Sequence, residues 1–459
     1  MGRGDQSFIC FDRKLGTLIE LDGGSKRILI QVQMTRTSKN KEKKMKTIVK
    51  GLALSAITSS VLMAGAYKIP EQSLNSMALG GAYVAHTTGA DAAYFNPANM
   101  AFMGEKQYVE GAITLAHLPS NVYSLGAASG ESETENILIP NFHYVAAPIG
   151  DFRWGVSMTA PGGLTKRWET PFQKATAEEF TLKVIELNPS MSYKVMDNLS
   201  VGAGLRLIYS EGVVKSNSAD ANAVNPGVPS GARDMEGDTI EFGYNLAVTY
   251  KPTDDINLAA TYRSNIDLDQ EGTAKLYGNG QLFYDGDATV SVPLPAALNL
   301  SISKTWNNTF TLELNYERTY WSAYENLDFG YTGANNAMIP DAFRHSDKNW
   351  EDTNTFRVGA TVVLDKITMM MGFAIDETPI PAEYLSFELP DSDAKIFSMG
   401  FRYQQTEDLS WGAAFLYDSK DPLSLTAGAH SDPTSLLNNG GSFSGGGAFL
   451  TTIGAAYEF

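Results

Sequence analysis

Residue types able to carry covalent or metal chemistry are sparse in this chain of 459 residues. Its histidines, His86, His117, His143, His345 and His430, form no H-x-x-x-H pair that would put two imidazoles on one helix face. No G-x-S-x-G elbow presents a serine nucleophile either. A lipid-cleaving enzyme would need a Ser and a His on adjacent strands, and His143 is the one candidate base in such a position. The single cysteine, Cys10, allows neither a disulfide framework nor a thiolate metal site. Arg206, Arg263, Arg357 and Arg402 occupy polar positions in alternating segments, as do Glu241, Glu313 and Glu317. On an enclosed polar face these would serve mainly as structural ion pairs. Pro161-Gly162-Gly163 is the remaining feature of note: proline gives no ladder hydrogen bond, and the glycines leave space and backbone freedom. On its own the tripeptide reads as a turn at a strand end. No metal and no cofactor is implied.

The elements that must position these residues are strands. From about residue 107 onward, apolar and polar residues alternate with period two. Leu199, Val201, Ala203, Leu205 and Leu207 share one face, opposite Ser200, Gly202, Gly204 and Arg206; Ile240 to Tyr250, Phe310 to Tyr316, Phe356 to Leu364 and Phe397 to Tyr403 repeat the pattern. Short turns at Gly150-Asp151, Met196-Asp197-Asn198, Thr253-Asp254-Asp255, Asn307-Asn308, Asp365-Lys366 and Glu407-Asp408 alternate with long connections at about 164–179, 216–236, 270–288, 322–352, 378–393 and 419–447. Aromatic residues gather near strand ends, as at Tyr209, Tyr250, Tyr262, Tyr403 and Tyr417. Short turns, long loops and aromatic girdles are the outer-membrane pattern, whereas a soluble sandwich needs none of them. The expectation is an all-β chain: a transmembrane antiparallel β-barrel of about 14 strands over 106–459. No stretch after residue 66 is apolar enough for a spanning helix, and only helices or closed barrels satisfy the backbone in lipid.

The start of the chain reads differently. Lys46 and Lys50 precede an apolar run with Leu52, Leu54, Ile57, Val61 and Leu62, and Ala64-Gly65-Ala66 supplies a small-x-small cleavage site. Residues 45–66 are therefore expected to be a signal peptide, cleaved before Tyr67, and 1–44 an over-extended start outside the mature protein. Without residues 1–66 the chain carries 23 Lys+Arg (35 less 12) against 47 Asp+Glu (52 less 5). That surplus of acid excludes nucleic acid as a partner, since phosphate binding needs clustered cations. The chain ends at Phe459, with Tyr457, Ala455, Ile453, Thr451 and Phe449 at alternate positions before it. Such a terminal aromatic strand is what barrel-assembly machinery recognises.

Residues 67–105 show no strand alternation and too few apolar residues for a core of their own. Glu71-Gln72-Ser73, then Gly80-Gly81-Ala82-Tyr83, then Asn96-Pro97-Ala98 closely resemble the N-terminal hatch of the FadL/TodX family of outer-membrane long-chain fatty acid and hydrocarbon channels. Further likenesses follow in order: Pro189-Ser190, Asn198 to Gly204, Thr261-Tyr262-Arg263-Ser264, Leu294-Pro295-Ala296, Trp350-Glu351-Asp352, Phe356-Arg357-Val358-Gly359 and Leu389-Pro390-Asp391-Ser392-Asp393. Together they span nearly the whole mature chain.

The resemblance implies a barrel plugged by a hatch at 67–105, a multi-pass monomer of the Gram-negative outer membrane, among lipid and lipopolysaccharide. It implies passive uptake of a long-chain fatty acid or similar hydrophobic molecule. The ligand would be held in an apolar pocket against the hatch, lined by Ile69, Phe95 and Phe102. Its carboxylate would meet Lys215, after the fifth strand, or Lys348, before the tenth, with Glu211 and Arg344 nearby. Asn96, Pro97 and Ala98 would gate by touching a kink in the third strand. Ala160, Pro161, Gly162 and Gly163 would form that kink and open a sideways exit. A methylene gains about 0.8 kcal/mol on leaving water, so a greasy route favours such a ligand over a water-filled one. The alternatives are a general diffusion porin with an open lumen, or an outer-membrane lipid-acting enzyme.

Overall fold

The structure is a computed structural model that describes residues 10–12, 17–19, 65–335 and 339–459. The expected over-extended start at 1–44 and signal peptide at 45–66 lie outside the described residues, apart from the short paired strands Cys10–Asp12 and Thr17–Ile19 and from Gly65 and Ala66.

The alternating segments form a closed barrel. Its strands are β1 (Tyr108–Leu118), β2 (Glu135–Val145), β3 (Phe152–Arg167), β4 (Glu179–Met196), β5 (Leu199–Asn217), β6 (Gly231–Thr253), β7 (Ile256–Arg263), β8 (Ala297–Trp306), β9 (Phe310–Thr319), β10 (Thr353–Leu364), β11 (Ile367–Asp376), β12 (Ala394–Gln404), β13 (Leu409–Lys420) and β14 (Ala448–Glu458). Each pairs antiparallel with the next, and β14 closes on β1 from Phe449↔His117 to Glu458↔Tyr108. Closure leaves no terminal strand with a free edge toward lipid. All six expected short turns fall between strands, and Asn307 and Asn308 both take φ near +50°, as a tight hairpin needs. Outward side chains form the apolar band, with Leu205 69% and Phe242 66% exposed, and Phe152, Trp154, Tyr193, Tyr250, Trp306, Phe310, Trp411 and Tyr457 stand outward near the short-turn end.

Two long connections are more regular than their sequence suggests. The stretch around 270–288 is a hairpin, Ile266–Gly278 with Gln281–Leu294, whose first strand also pairs with the upper part of β6. Strands β5 and β6 likewise run into the expected 216–236 loop, because Val214, Ser216, Arg233 and Met235 continue the inward alternation. The connection 119–134 is also long.

The segment before β1 packs against the inner face of the barrel. It holds two short helices, α1 (Leu74–Ala78) capped by the Ser73 hydroxyl and α2 (Ala92–Phe95), then a 3-10 turn, Pro97–Phe102. The wall admits it through glycine. A Cβ at Gly372 would strike the Leu79 backbone, and one at Gly202 the Ala98 backbone. The polar positions of the strands that read as G-x alternation are where hatch backbone touches the wall.

Charge holds the segment as well. Glu313 accepts backbone N–H bonds from Val84 (2.6 Å), Ala85 (2.7 Å) and His86 (3.0 Å). Lys68 reaches Glu317 at 2.7 Å, and Glu317 also faces Arg357 at 3.3 Å. The remaining lumen arginines find other partners than the expected glutamates. Arg206 and Arg263 share Glu186, and Arg402 pairs with Glu110 while donating to the side-chain amide oxygen (Oδ1) of Asn75. Glu241 accepts only from Thr239 among the hydrogen bonds described. Alternation gave the inward face of each residue, but not which neighbours meet across a curved wall.

Candidate functional site

Strand β3 does not follow β2 along its length. The two pair only from Phe142↔Met158 to Val145↔Gly155, while β2 remains paired with β1 throughout. After Thr159 the register of β3 against β4 slips by one residue, a bulge at Ala160-Pro161, and pairing resumes at Gly162↔Val184. The strand thereby bends away from β2 and leaves residues 136–141 without a β3 partner. The interval is closed above, where Glu133 N–H donates to the Arg167 carbonyl (2.8 Å) and the Arg167 guanidinium meets Glu135 at 2.7 Å. Leu138 and Phe142 face outward along β2, and Ile137 and Ile139 face inward. A second proline, Pro140, lies on β2 opposite the break, so both flanks carry a residue unable to donate to a ladder.

The bent edge of β3 is paired by the hatch instead. Ile69 N–H donates to the Pro161 carbonyl (2.9 Å), Gly163 N–H donates to the Tyr67 carbonyl (2.8 Å), and Lys68 bridges Gly162. The Gln72 side chain completes the junction. Its amide N–H donates to the Ala160 carbonyl (2.8 Å), and its oxygen accepts from Ala160 N–H (2.9 Å). The same two bonds would come from a neighbouring strand, so Gln72 substitutes for β2 at the bulge.

Above this junction lies an apolar cluster. Tyr67 packs edge-on against Trp321 (ring centroids 4.8 Å) and beside Trp350 (5.6 Å), and its hydroxyl donates to the Pro293 carbonyl. Leu164, Phe180, Leu182, Val292 and Leu389 continue the wall. A small cavity of about 20 Å³ opens among Tyr67, Leu164, Phe180, Tyr324, Lys348 and Glu388, room for little more than one water. Lys348 is buried there and ion-paired to Glu388. A hollow of about 810 Å³ lies instead between outward side chains such as Val248, Leu300, Leu314 and Phe356, where lipid chains belong.

Residues 55–459 match the family profile described as outer membrane protein transport protein (OMPP1/FadL/TodX). The chain belongs to this family. Its curated relatives include a long-chain fatty acid transport protein of Escherichia coli, 25% identical over 431 residues, covering 82% of this chain and 92% of that protein. They also include outer membrane protein P1 of Haemophilus influenzae, 25% identical over 405 residues, 77% of this chain and 86% of that protein. Among solved structures, a FadL homologue of Pseudomonas aeruginosa superposes with a TM-score of 0.74 at 21% identity, covering 85% of this chain and 99% of that one. The toluene transporter TbuX of Ralstonia pickettii gives 0.63 at 21% identity, over 84% and 98%. The protein is thus an outer-membrane barrel of the FadL/TodX transport family, a family of channels rather than enzymes.

Against that family frame, the expected site residues divide. Ala160, Pro161, Gly162 and Gly163 sit together at the bend of β3, and Lys348 lies in the apolar cluster. The hatch residue beside Lys348 is Tyr67, which the sequence reading passed over. Ile69 and Phe95 share a second cluster with Leu74, Ile137 and Ala160, whereas Phe102 lies apart, under Lys251 in a polar hollow with His86 and Asn257. Among the described residues, Phe102 therefore does not join Ile69 and Phe95. Lys215 is also elsewhere: its neighbours Val214 and Ser216 point inward, so it points outward and pairs with Glu179 at 2.9 Å. Its offset by one residue decides this, because successive strand residues face opposite sides.

Asn96, Pro97 and Ala98 do not reach the bend. The Asn96 amide donates to Val84 and to Thr249 on β6 (2.8 Å each), and the Ala98 carbonyl accepts from Ser200 on β5. The hatch residues at the bend are Tyr67, Lys68, Ile69 and Gln72. His143, the candidate base, does meet Ser157 (Nδ1 to Oγ, 3.1 Å), but its Nε2–H is spent on the Gln72 carbonyl at 2.9 Å. Both side chains are sealed from solvent and both ring nitrogens are taken, so the pair ties hatch to wall.

Proposed function

We propose that this chain takes up long-chain fatty acids or similarly hydrophobic molecules passively, through the wall of the barrel. The ligand enters among the long loops, rests in the apolar cluster around Tyr67, and leaves sideways between β2 and β3 once the hatch lets go of the bend. The observation that carries this reading is the substitution at β3, where hatch backbone and Gln72 stand in for the missing β2. A pairing made by a separate segment can be released without unzipping the barrel, whereas a ladder between two wall strands cannot. Release exposes an opening at membrane depth flanked by Leu138, Ile137 and Ile139, a surface that suits an alkyl chain. Unpaired backbone facing lipid is costly, so the opening is transient and is lined by hatch or ligand. The relatives named for fatty acid and toluene transport agree with a hydrophobic cargo.

A general porin would carry a large steady ion current. In planar bilayers the purified protein is expected to show little steady conductance, and cells producing it should take up labelled long-chain fatty acid or toluene faster than cells lacking it. A large constant conductance with no gain in hydrophobic uptake would replace this reading with the porin.

A further inference from the structure

The hollow of about 810 Å³ on the outward face of the barrel is a dip that alternation alone does not require. Ala260 forms its floor. It stands in register with Val248 of β6 and Leu300 of β8, and Leu300 in turn with Tyr316 of β9. In that row of longer side chains the alanine stops at Cβ, so the wall sinks there. Phe356 of β10 and Phe373 of β11 stand along the far rim. The volume falls among those of sites that hold a ligand, about 300–1,000 Å³. A second copy of the barrel would present a convex wall and could not fill a dip, whereas a flexible acyl chain can.

The two ends of the hollow differ in charge. Toward the short turns, Ile302 is followed on the same face by Lys304 and then Trp306, with Tyr250 of β6 in the row of Ile302. Such aromatic residues mark the depth of lipid head groups. Lys304 Nζ lies 5.7 Å from the centre of the Trp306 ring and 3.1 Å from Asp255. That ion pair is exposed, and exposed pairs contribute little, so a phosphate can take the place of Asp255. Toward the long loops, Arg318 follows Tyr316 but is taken by Asp352 (3.2 Å) and Asn354 (3.0 Å). Glu377 adds a second carboxylate at Asn354 (2.8 Å), so an anion is opposed at that end. We propose that the hollow holds one glycerophospholipid of the inner leaflet, its acyl chains on Ala260 and its phosphate at Lys304. Ser301 and Arg357 border the hollow from beneath and reach inward to Glu313 and Glu317, so the lipid lies back to back with the anchors of the hatch. The inference rests on the barrel's place in the outer membrane and not on its cargo.

Native mass spectrometry of the purified, detergent-solubilised protein tests this, titrated with palmitoyl-oleoyl phosphatidylglycerol or with the diacylglycerol of the same chains. Wild type should bind the phospholipid one to one, about 10-fold more tightly than the diacylglycerol. Ala260→Trp fills the floor and should weaken the phospholipid about 10-fold or more, while Ala455→Trp, outward on β14 and far from the hollow, should leave it within about 3-fold. Lys304→Gln should weaken the phospholipid about 3- to 10-fold and leave the diacylglycerol as it was. Equal loss in the two tryptophan variants, or many lipids leaving in parallel, would mean ordinary boundary lipid and overturn the site. A protein dimer that Ala260→Trp dissolves would put a second copy there instead. Should Ala260→Trp fail to fold, wild type and Lys304→Gln still decide: no one-to-one phospholipid complex, or no preference over diacylglycerol, overturns the assignment.

Discussion

Gln72→Ala should loosen the bend of β3 without disturbing the barrel. Gln72 is 1% exposed and makes two bonds, of 2.8 and 2.9 Å, to the N–H and C=O of Ala160, itself 7% exposed. Alanine leaves both groups buried without partners, at about 1–3 kcal/mol each. Together the local opening free energy should fall by about 2–6 kcal/mol, which is roughly a 30-fold to more than 10,000-fold rise in the exchange rate of the amides there. The Gly163 amide, held by the Tyr67 carbonyl at 2.8 Å, should follow. Hydrogen exchange with mass spectrometry on a peptide covering 158–167 reads this directly, and a peptide covering 96–103, which packs on β5 and β6, is the internal control. Unchanged protection at 158–167 would refute the reasoning, since it would mean that the hatch does not carry the bond pairs of this edge. A matched loss in both peptides would mean that the substitution unseats the whole hatch.

Two further outcomes rest on separate contacts. Glu313→Ala removes the acceptor for three consecutive hatch N–H groups and should let the hatch shift, so that flickering ion current appears in planar bilayers; a trace as quiet as wild type would show that the other anchors suffice. His345, on an outer loop, sits between Asp328 (2.6 Å) and Asp347 (2.9 Å), and hydrogen bonds to these two hold its pKa above the usual value. A raised folded pKa means that the link is complete below about 6.5, the ordinary histidine value, and is lost as pH rises through the raised one. After correction for the intrinsic base-catalysed rate, protection in the strand Asn326–Tyr331 should therefore fall as the solution turns alkaline, and His345→Gln should abolish that dependence. A pH-independent wild type would contradict it.

Much of this was legible in the sequence because a membrane barrel writes itself in period two. The turns at Asn307-Asn308 and Asp365-Lys366, the outward face of β6 and the closing strand at Phe459 all follow from alternation and turn chemistry. The bend was legible from Pro161-Gly162-Gly163 once the family likeness gave it meaning. Pro140 was available by the same argument, since proline within a strand marks an edge, but it was overlooked inside an apolar run. Contacts made across the lumen were not legible. Nothing in the spacing of Arg206 and Arg263 points to Glu186, and Asn96-Pro97-Ala98 looked like a gate because the motif is recognisable, not because it touches β3. Lys215 failed by a single residue, the smallest error that alternation turns into the opposite face.

The central claim is that cargo leaves through the wall between β2 and β3. Gly163 pairs with Lys183, whose side chain reaches Glu211 on the outward side, while Gly162 and Leu164 face the hatch. A side chain at Gly163 therefore projects from the face of β3 opposite Gly162 and Leu164, beside the proposed exit. Uptake of a labelled long-chain fatty acid by cells carrying Gly163→Arg at normal surface level is the direct test, with binding to the purified variant as the control for folding. The account predicts uptake at the level of cells without the protein and ligand binding close to wild type. Wild-type uptake in that strain would contradict it and would send the cargo down the lumen past the hatch.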